Sequence, residues 1–337
     1  MTLYKTKNML KSKYIINTIG CIILFMCSSN LSSQVLTNPP YIWYTFDGSL
    51  VDSEGHSTLT LIPDPPGDGS SRENTTRAFG SNTFGKYWRW TSTQARGGGF
   101  TILADKDLGE EYTIYLRFSF DDVGETSGSW KKIIDYKNKS SDTGFYFHSY
   151  GKVQFYPEGH GSKQTKNGEL IVLVCTRDEA GTFRVYIANE SDYTLTLDYT
   201  ANSGVNSIFD TSLGSSLMGF FFDDNATGAE ATNGGQVYEI RVWDKLLIKE
   251  EIDDIINKGE IIVRHLDRAG NDISSPERLT GNDGVSYITE AKRFNNCILV
   301  ESPTNKSGFF EKGKSFEVKY VYDCYAFINP DLRNMPQ

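Results

Sequence analysis

A single change of period constrains this chain more than any other feature. From Gly235 to Trp243 apolar residues recur at every second position, which predicts a strand with Tyr238, Ile240 and Val242 on one face. After Asp244 the spacing becomes helical: Ile248, Ile252 and Ile255 fall on one side, and Gly259 is placed as a C′ stop. Upstream of this junction the chain reads as short strands. In Tyr112–Phe120, Ile114, Leu116, Phe118 and Phe120 alternate with Thr113, Tyr115, Arg117 and Ser119, predicting one buried and one wetter face. Glu169–Thr176 is a continuous apolar run, and Phe183, Val185 and Ile187 share a face of the next strand. PDPPGDGSSREN, between residues 63 and 77, reads as a surface loop. Many short strands and one terminal helix predict an all-β sandwich, and 13% aromatic residues supply the apolar mass for its core.

After Gly259 the strand pattern restarts, with IIVRHLD at 261–267 and an alternating Phe316–Tyr322. This predicts a second, small β domain over residues 259–325, followed by a tail at 326–337. Residues 1–33 read as a secretory signal peptide. Four lysines precede a 13-residue apolar run, too short to span a membrane, and serines follow it. Cys27 offers lipoprotein processing as an alternative to release, although Met26 is bulky for the position before it. Cleavage would remove four lysines and no acids, moving the formal charge from −9 to −13. Residues 259–325 carry nine basic and ten acidic side chains, so nearly all the excess lies on 34–258. Such a surface disfavours nucleic acid and anionic lipid.

The residues also carry two resemblances. WYTFDG with VDSEG, the strand at 112–120, GELIVLVCTRDEAGTFRVYIA and GQVYEIRVWDKLLIKEEI resemble a LamG-type domain over residues 34–258. That family implies a concanavalin A-like jelly-roll sandwich with one short terminal helix. IIVRHLDRAGNDI, ERLTGNDGVSYIT and FEVKYVY resemble a MucBP-type (mucin-binding-protein) domain, which implies a small β-grasp-like fold. Together they imply an exported, non-enzymatic recognition or adhesion protein, secreted or held at the cell surface or outer envelope. Its expected ligand is a glycan or glycoprotein, with a surface-protein partner as a further expectation. The mature chain is expected to hold no membrane-spanning segment. Two rivals stay open: a structural surface protein that binds only a protein partner, and a divergent glycoside hydrolase or lyase.

Chemistry-bearing residues divide by type. Glu251, Asp253 and Asp254 approach a glycosidase pattern, but on a helix a spacing of two turns side chains about 200° apart. No Gly-x-Ser-x-Gly occurs, and His56, His148, His160 and His265 lack paired metal spacing. No cofactor is required; a structural calcium ion is the one candidate, with Asp47 and Asp52 at one turn and Asp223 and Asp224 at another. Tyr238 stands where many LamG sequences place an Asp. Sugar rings stack on flat aromatic faces. The candidates for that are Tyr87, Trp88 and Trp90, and a second group of Trp130, Tyr146, Tyr150 and Tyr156 with His148. Cys175 reads as a buried thiol, and export permits a disulfide between Cys297 and Cys324.

Overall fold

The computed structural model describes residues 38–62, 78–90, 97–125, 129–148, 150–189, 192–227 and 234–325. The expected signal peptide, the Cys27 alternative, the 63–77 loop and the 326–337 tail lie outside these residues. Among the described residues two antiparallel sheets build a sandwich. One has the strand order Asp192–Asn202, Thr182–Asn189, Ile171–Arg177, Tyr112–Phe120, Gly235–Trp243, Gly85–Trp90 and Phe79–Asn82, with Ile42–Tyr44 pairing the far end of Gly235–Trp243. The other runs Gly159–Gln164, Lys152–Tyr156, Gly144–His148, Lys131–Asp135, Leu217–Phe220, Phe100–Ala104 and Ser57–Leu61. Between them lies one apolar core that takes Ile114, Leu116, Phe118 and Phe120 from the central strand, as the alternation predicts. Phe79–Asn82 and Gly159–Gln164 carry no apolar alternation and were not expected as strands.

The opposite face of Tyr112–Phe120 departs from expectation. Thr113, Tyr115, Arg117 and Ser119 are buried, not wet. Their cover comes from elsewhere in the chain. The helix Lys249–Asn257 packs Ile252 and Ile256 with Trp243, Leu247, Tyr115 and Val174 in a second apolar cluster. The helical stripe is rotated from the one expected, since Ile248 is 56% exposed and Ile256 takes its place. Ile248 is the N-cap residue, and its backbone N–H is held at 2.9 Å by the Glu251 carboxylate, half of a capping box. Gly259 is not a helix stop, because the strand Lys258–Asp267 begins directly after the helix. It is glycine for a different reason: a Cβ there would sit 2.6 Å from the backbone N and O of Glu311. Gly259→Ala should cost about 1–3 kcal/mol by forcing a backbone shift. A thermal melt unchanged within a degree would refute that steric account.

The closing strand carries a second departure. Val237 pairs with Phe118 and Glu239 pairs with Arg117, so Tyr238 is an extra residue, a β-bulge. Val237, Ile240 and Val242 enter the sandwich core, while Tyr238 does not belong to that cluster. Its ring instead meets Tyr87 at 5.8 Å and Phe84 at 6.2 Å, edge to face in both cases.

After the helix a four-stranded mixed sheet forms in the order Glu277–Asn282, Lys258–Asp267, Ser315–Cys324 and Cys297–Glu301. Its central pair is parallel, from Glu260 opposite Ser315 to Asp267 opposite Tyr322. Ile261, Val263, Val318, Tyr320 and Tyr322 pack with Phe310 as its core. Cys297 and Cys324 face each other across neighbouring strands and are joined by a disulfide. Cys175 is a buried free thiol. Among the described residues no helix is long and apolar enough to cross a membrane.

Candidate functional site

The two aromatic groups meet different fates. Trp88 and Trp90 are 0% exposed; Trp90 stacks on Phe221 at 4.1 Å and Trp88 meets Phe100 edge-on. Neither ring has a face left for a ligand. They belong to the strand Gly85–Trp90 with inward parity, and Tyr87, half-buried between them, points to the other side and meets Tyr238.

The second group assembles on the outer side of the seven-stranded sheet. Cross-strand pairing sets the row: Lys132 opposite Tyr146, and Tyr146 opposite Gln154. Phe145, Phe147, Val153 and Phe155 turn inward, so Tyr146, His148, Gln154 and Tyr156 must turn outward. Trp130 enters just before the strand Lys131–Asp135. Its ring stacks on His148 at 3.7 Å and 12°, and meets Tyr146 and Tyr156 edge-on, both at 5.4 Å. Trp130, His148 and Tyr156 are partly exposed, whereas Tyr146 is buried beneath them. Burial lowers the His148 pKa below its ordinary value, which keeps the imidazole neutral near pH 7, and its Nδ1 lies 3.1 Å from Gln154 Oε1. Tyr150 is 58% exposed at the tip of the same hairpin, with φ 66°, and stands apart from the ring cluster.

Beneath this patch sits a buried ionic group. Lys132 Nζ lies 2.7 Å from Asp224 and 3.1 Å from Asp135, and 5.0 Å from the Tyr146 ring centre. Burial by itself would raise the Asp224 pKa, but the Lys132 ammonium and the N–H groups of Ala226 and Thr227 hold it below the usual value. Asp223 is buried beside it. Asp52 is likewise committed: its carboxylate accepts from the N–H groups of Trp43, Glu54 and His56 and the hydroxyl of Ser57, at 2.8–3.0 Å. Asp47 accepts from the Thr45 hydroxyl at 3.1 Å and lies 3.9 Å from Lys319. Among the described residues no three carboxylates, histidines or cysteines are placed to hold a metal ion. The carboxylate oxygens of Asp52 and Asp224 already serve N–H, hydroxyl and ammonium donors. The helix acids are also spoken for, with Asp253 on Lys249, Asp254 on Lys258 and Glu251 on the Ile248 N–H.

A third feature lies where the sandwich meets the C-terminal sheet. Trp43 is fully buried under two guanidinium groups, Arg278 at 3.8 Å and Arg241 at 4.2 Å from its ring centre. Its indole N–H donates to Glu239 at 2.7 Å. Arg241 lies 2.6 Å from Glu239 and 3.1 Å from Glu260, and Arg278 pairs with Glu54 and lies 3.8 Å from Glu260. Burial raises Glu260 to about 7 despite the attraction of both arginines. Beside this cluster opens a cavity of about 260 Å³, walled by Arg117, Tyr238 and Phe84 from the sandwich and by Ser315, Phe316 and Glu317 from the C-terminal sheet. Nothing in the sequence pointed to this cavity. The signal that could have found it is a charged residue inside each of two apolar strands, Arg117 in YTIYLRFSF and Arg241 in YEIRVW.

Comparison with known proteins gives one family match: the MucBP domain family matches residues 260–323. No curated protein matches the chain. Among solved structures, the binding domain of botulinum neurotoxin serotype D is 12% identical, with a TM-score of 0.41 over 69% of this chain and 54% of that one. The binding domain of serotype C1 is 13% identical, with a TM-score of 0.45 over 83% of this chain and 62% of that one. The chain thus spans little more than half the length of the first of these structures. At such scores the likeness carries nothing about ligand or activity.

Proposed function

We propose that this chain is an exported, non-enzymatic recognition protein of the cell surface that binds a glycan or glycoprotein. In this reading residues 34–258 are a LamG-type sandwich that holds the ligand, and residues 259–325 are a MucBP-type module beside it. The observation that supports it most is the partly exposed Trp130–His148–Tyr156 patch, flanked by Gln154. Flat rings with a neutral imidazole and an amide at their edge suit the apolar face and the hydroxyls of a sugar. The family match at 260–323 agrees with a binding role for the second module.

Screening the purified chain on a glycan array should return a defined ligand set. Trp130→Ala should weaken the best ligand about tenfold or more, since a lost aromatic stack removes about 0.5–1.5 kcal/mol beyond its buried area. The variant should melt near the parent temperature, because Trp130 is not a member of the main core. An array with no ligand, from a chain shown to be folded, would end the glycan reading.

A further inference from the structure

We propose that the cavity beside Arg117 takes the carboxylate of an acidic sugar residue. The inference deepens the glycan-recognition reading and rests on it. Arg117 is 6% exposed, yet among the described residues no carboxylate lies within ion-pair distance of it. Of its five N–H groups, one on Nη2 donates to the Phe84 carbonyl at 2.6 Å, and its buried Nε–H meets no acceptor. Its guanidinium is supported from one side by the Tyr238 ring at 5.2 Å. A buried cation with an idle donor edge is costly unless an anion completes it. The side chain directly opposite it on the closing strand is Glu239, which would be the obvious partner. The bulge beside it lets Glu239 go instead to Arg241 and to the Trp43 indole.

The other charges around the cavity leave the same imbalance. Glu317 pairs with Lys319 and with Arg264 at 3.4 Å, and Asp47 also lies near Lys319. Among the described residues, Lys86, at the exposed rim, donates only to the Asp47 carbonyl, at 3.3 Å. The acids of the cavity are therefore engaged, while Arg117 and Lys86 hold unspent positive charge. A planar carboxylate matches the guanidinium fork with two parallel hydrogen bonds. Three nearby acids would repel a dianion, which favours a singly charged group. At about 260 Å³ the space falls below the roughly 300–1,000 Å³ of pockets for drug-sized ligands, so it suits one sugar ring. Phe84, Tyr238 and Phe316 supply the apolar walls for that ring.

Calorimetric titration of the full chain with glucuronic acid and N-acetylneuraminic acid tests this, with glucose, N-acetylglucosamine 6-sulfate and a Glu-containing dipeptide as comparisons. The carboxylated sugars should bind and glucose should not. Arg117→Gln should weaken them roughly ten- to hundredfold, and Leu213→Ser, at an exposed position outside the cavity lining, should leave them unchanged. Arg117→Gln should also melt at or above the parent temperature without ligand, because it removes an unpaired buried charge. A lower melting temperature would mark the arginine as structural and overturn the proposal. Should Arg117→Gln not fold, Lys86→Gln serves in its place, with weaker binding of the acidic sugars and a smaller salt dependence expected. Tighter binding of the sulfated sugar or the dipeptide would overturn the assignment. If array ligands bind at Trp130 but no carboxylated sugar binds, this proposal fails and the glycan reading stands. If no sugar of any kind binds, both fail.

Discussion

Lys132→Met should lower the unfolding free energy by about 3–5 kcal/mol, the usual cost of removing one partner from a buried ion pair. The methionine keeps the length and most of the apolar stem, so the loss isolates the charge. The Lys132 ammonium is fully buried and sits between Asp135 and Asp224, with the Ser141 carbonyl at 3.4 Å as a further acceptor. Without it two buried carboxylates face each other with no cation between them. Asp135 keeps the Lys139 N–H, and Asp224 keeps those of Ala226 and Thr227 and the Tyr146 hydroxyl at 3.3 Å. Asp224, no longer held low by the ammonium, would then take up a proton more readily. The loss should therefore be larger at pH 8 than at pH 5. Adding Asp224→Asn should recover part of it, which a double-mutant cycle in urea reads directly. A loss under about 1 kcal/mol would show that the group is not held as described. Because Tyr146 packs over the same ammonium, ligand binding at Trp130 should fall alongside stability.

Glu260 gives the second large effect, and its sign is opposite to that of an ordinary ion-paired acid. Its folded value is about 7 against an ordinary 4.5, because burial outweighs Arg241 and Arg278. The folded state therefore holds a proton that the unfolded chain has released. The stability from this group is complete below about pH 4.5, declines as pH rises, and is lost above about pH 7. At 1.36 kcal/mol per unit the difference is about 3 kcal/mol. Other groups titrate nearby. Glu54 and Glu317 are raised by burial and act in the same sense, while His148 and His265 are lowered by burial and act in the opposite sense. The clean measurement is thus the difference between parent and Glu260→Gln, by chemical denaturation from pH 4 to pH 8. The variant should be the more stable protein at pH 8 and lose that advantage toward pH 5. A difference flat with pH would refute the raised value.

What could be read from the sequence was what adjacent residues decide. The inward set of Tyr112–Phe120 follows from side-chain alternation alone, and the order of elements follows from the single change of period at residue 244. What could not be read was decided by residues far away in the chain. On the second face of that strand, Tyr115 is dry because Ile252 and Ile256 come to lie against it, more than 130 residues later, and Arg117 is covered by Tyr238. The alternation of Tyr238, Ile240 and Val242 was unbroken in the sequence, and only the pairing with Phe118 and Arg117 shows that a residue is inserted. Trp88, Trp90 and Trp130 are chemically alike, so nothing local separated two core rings from one at a partly exposed patch. The acids at 47, 52, 223 and 224 were recognisable as turn chemistry, but Lys319, the Trp43 N–H and Lys132, which reach Asp47, Asp52 and Asp224, arrive from other strands. Arg117 and its cavity needed both sheets in place before either had meaning.

The parallel pairing of Lys258–Asp267 with Ser315–Cys324 has a mechanical consequence. A tension applied along the chain enters the first strand at its start and leaves the last strand at its end. In a parallel pair those two points lie at opposite ends, so the rungs between Glu260 and Asp267 are loaded together, in shear. The pair Ile42–Tyr44 with Val242–Ile240 is antiparallel, and its outgoing chain ends lie at one end of the pair. The same tension would open that pair one rung at a time, like a zipper. Under a pull along the chain, the C-terminal sheet would be the stiff link, and the first strand of the sandwich the one that yields.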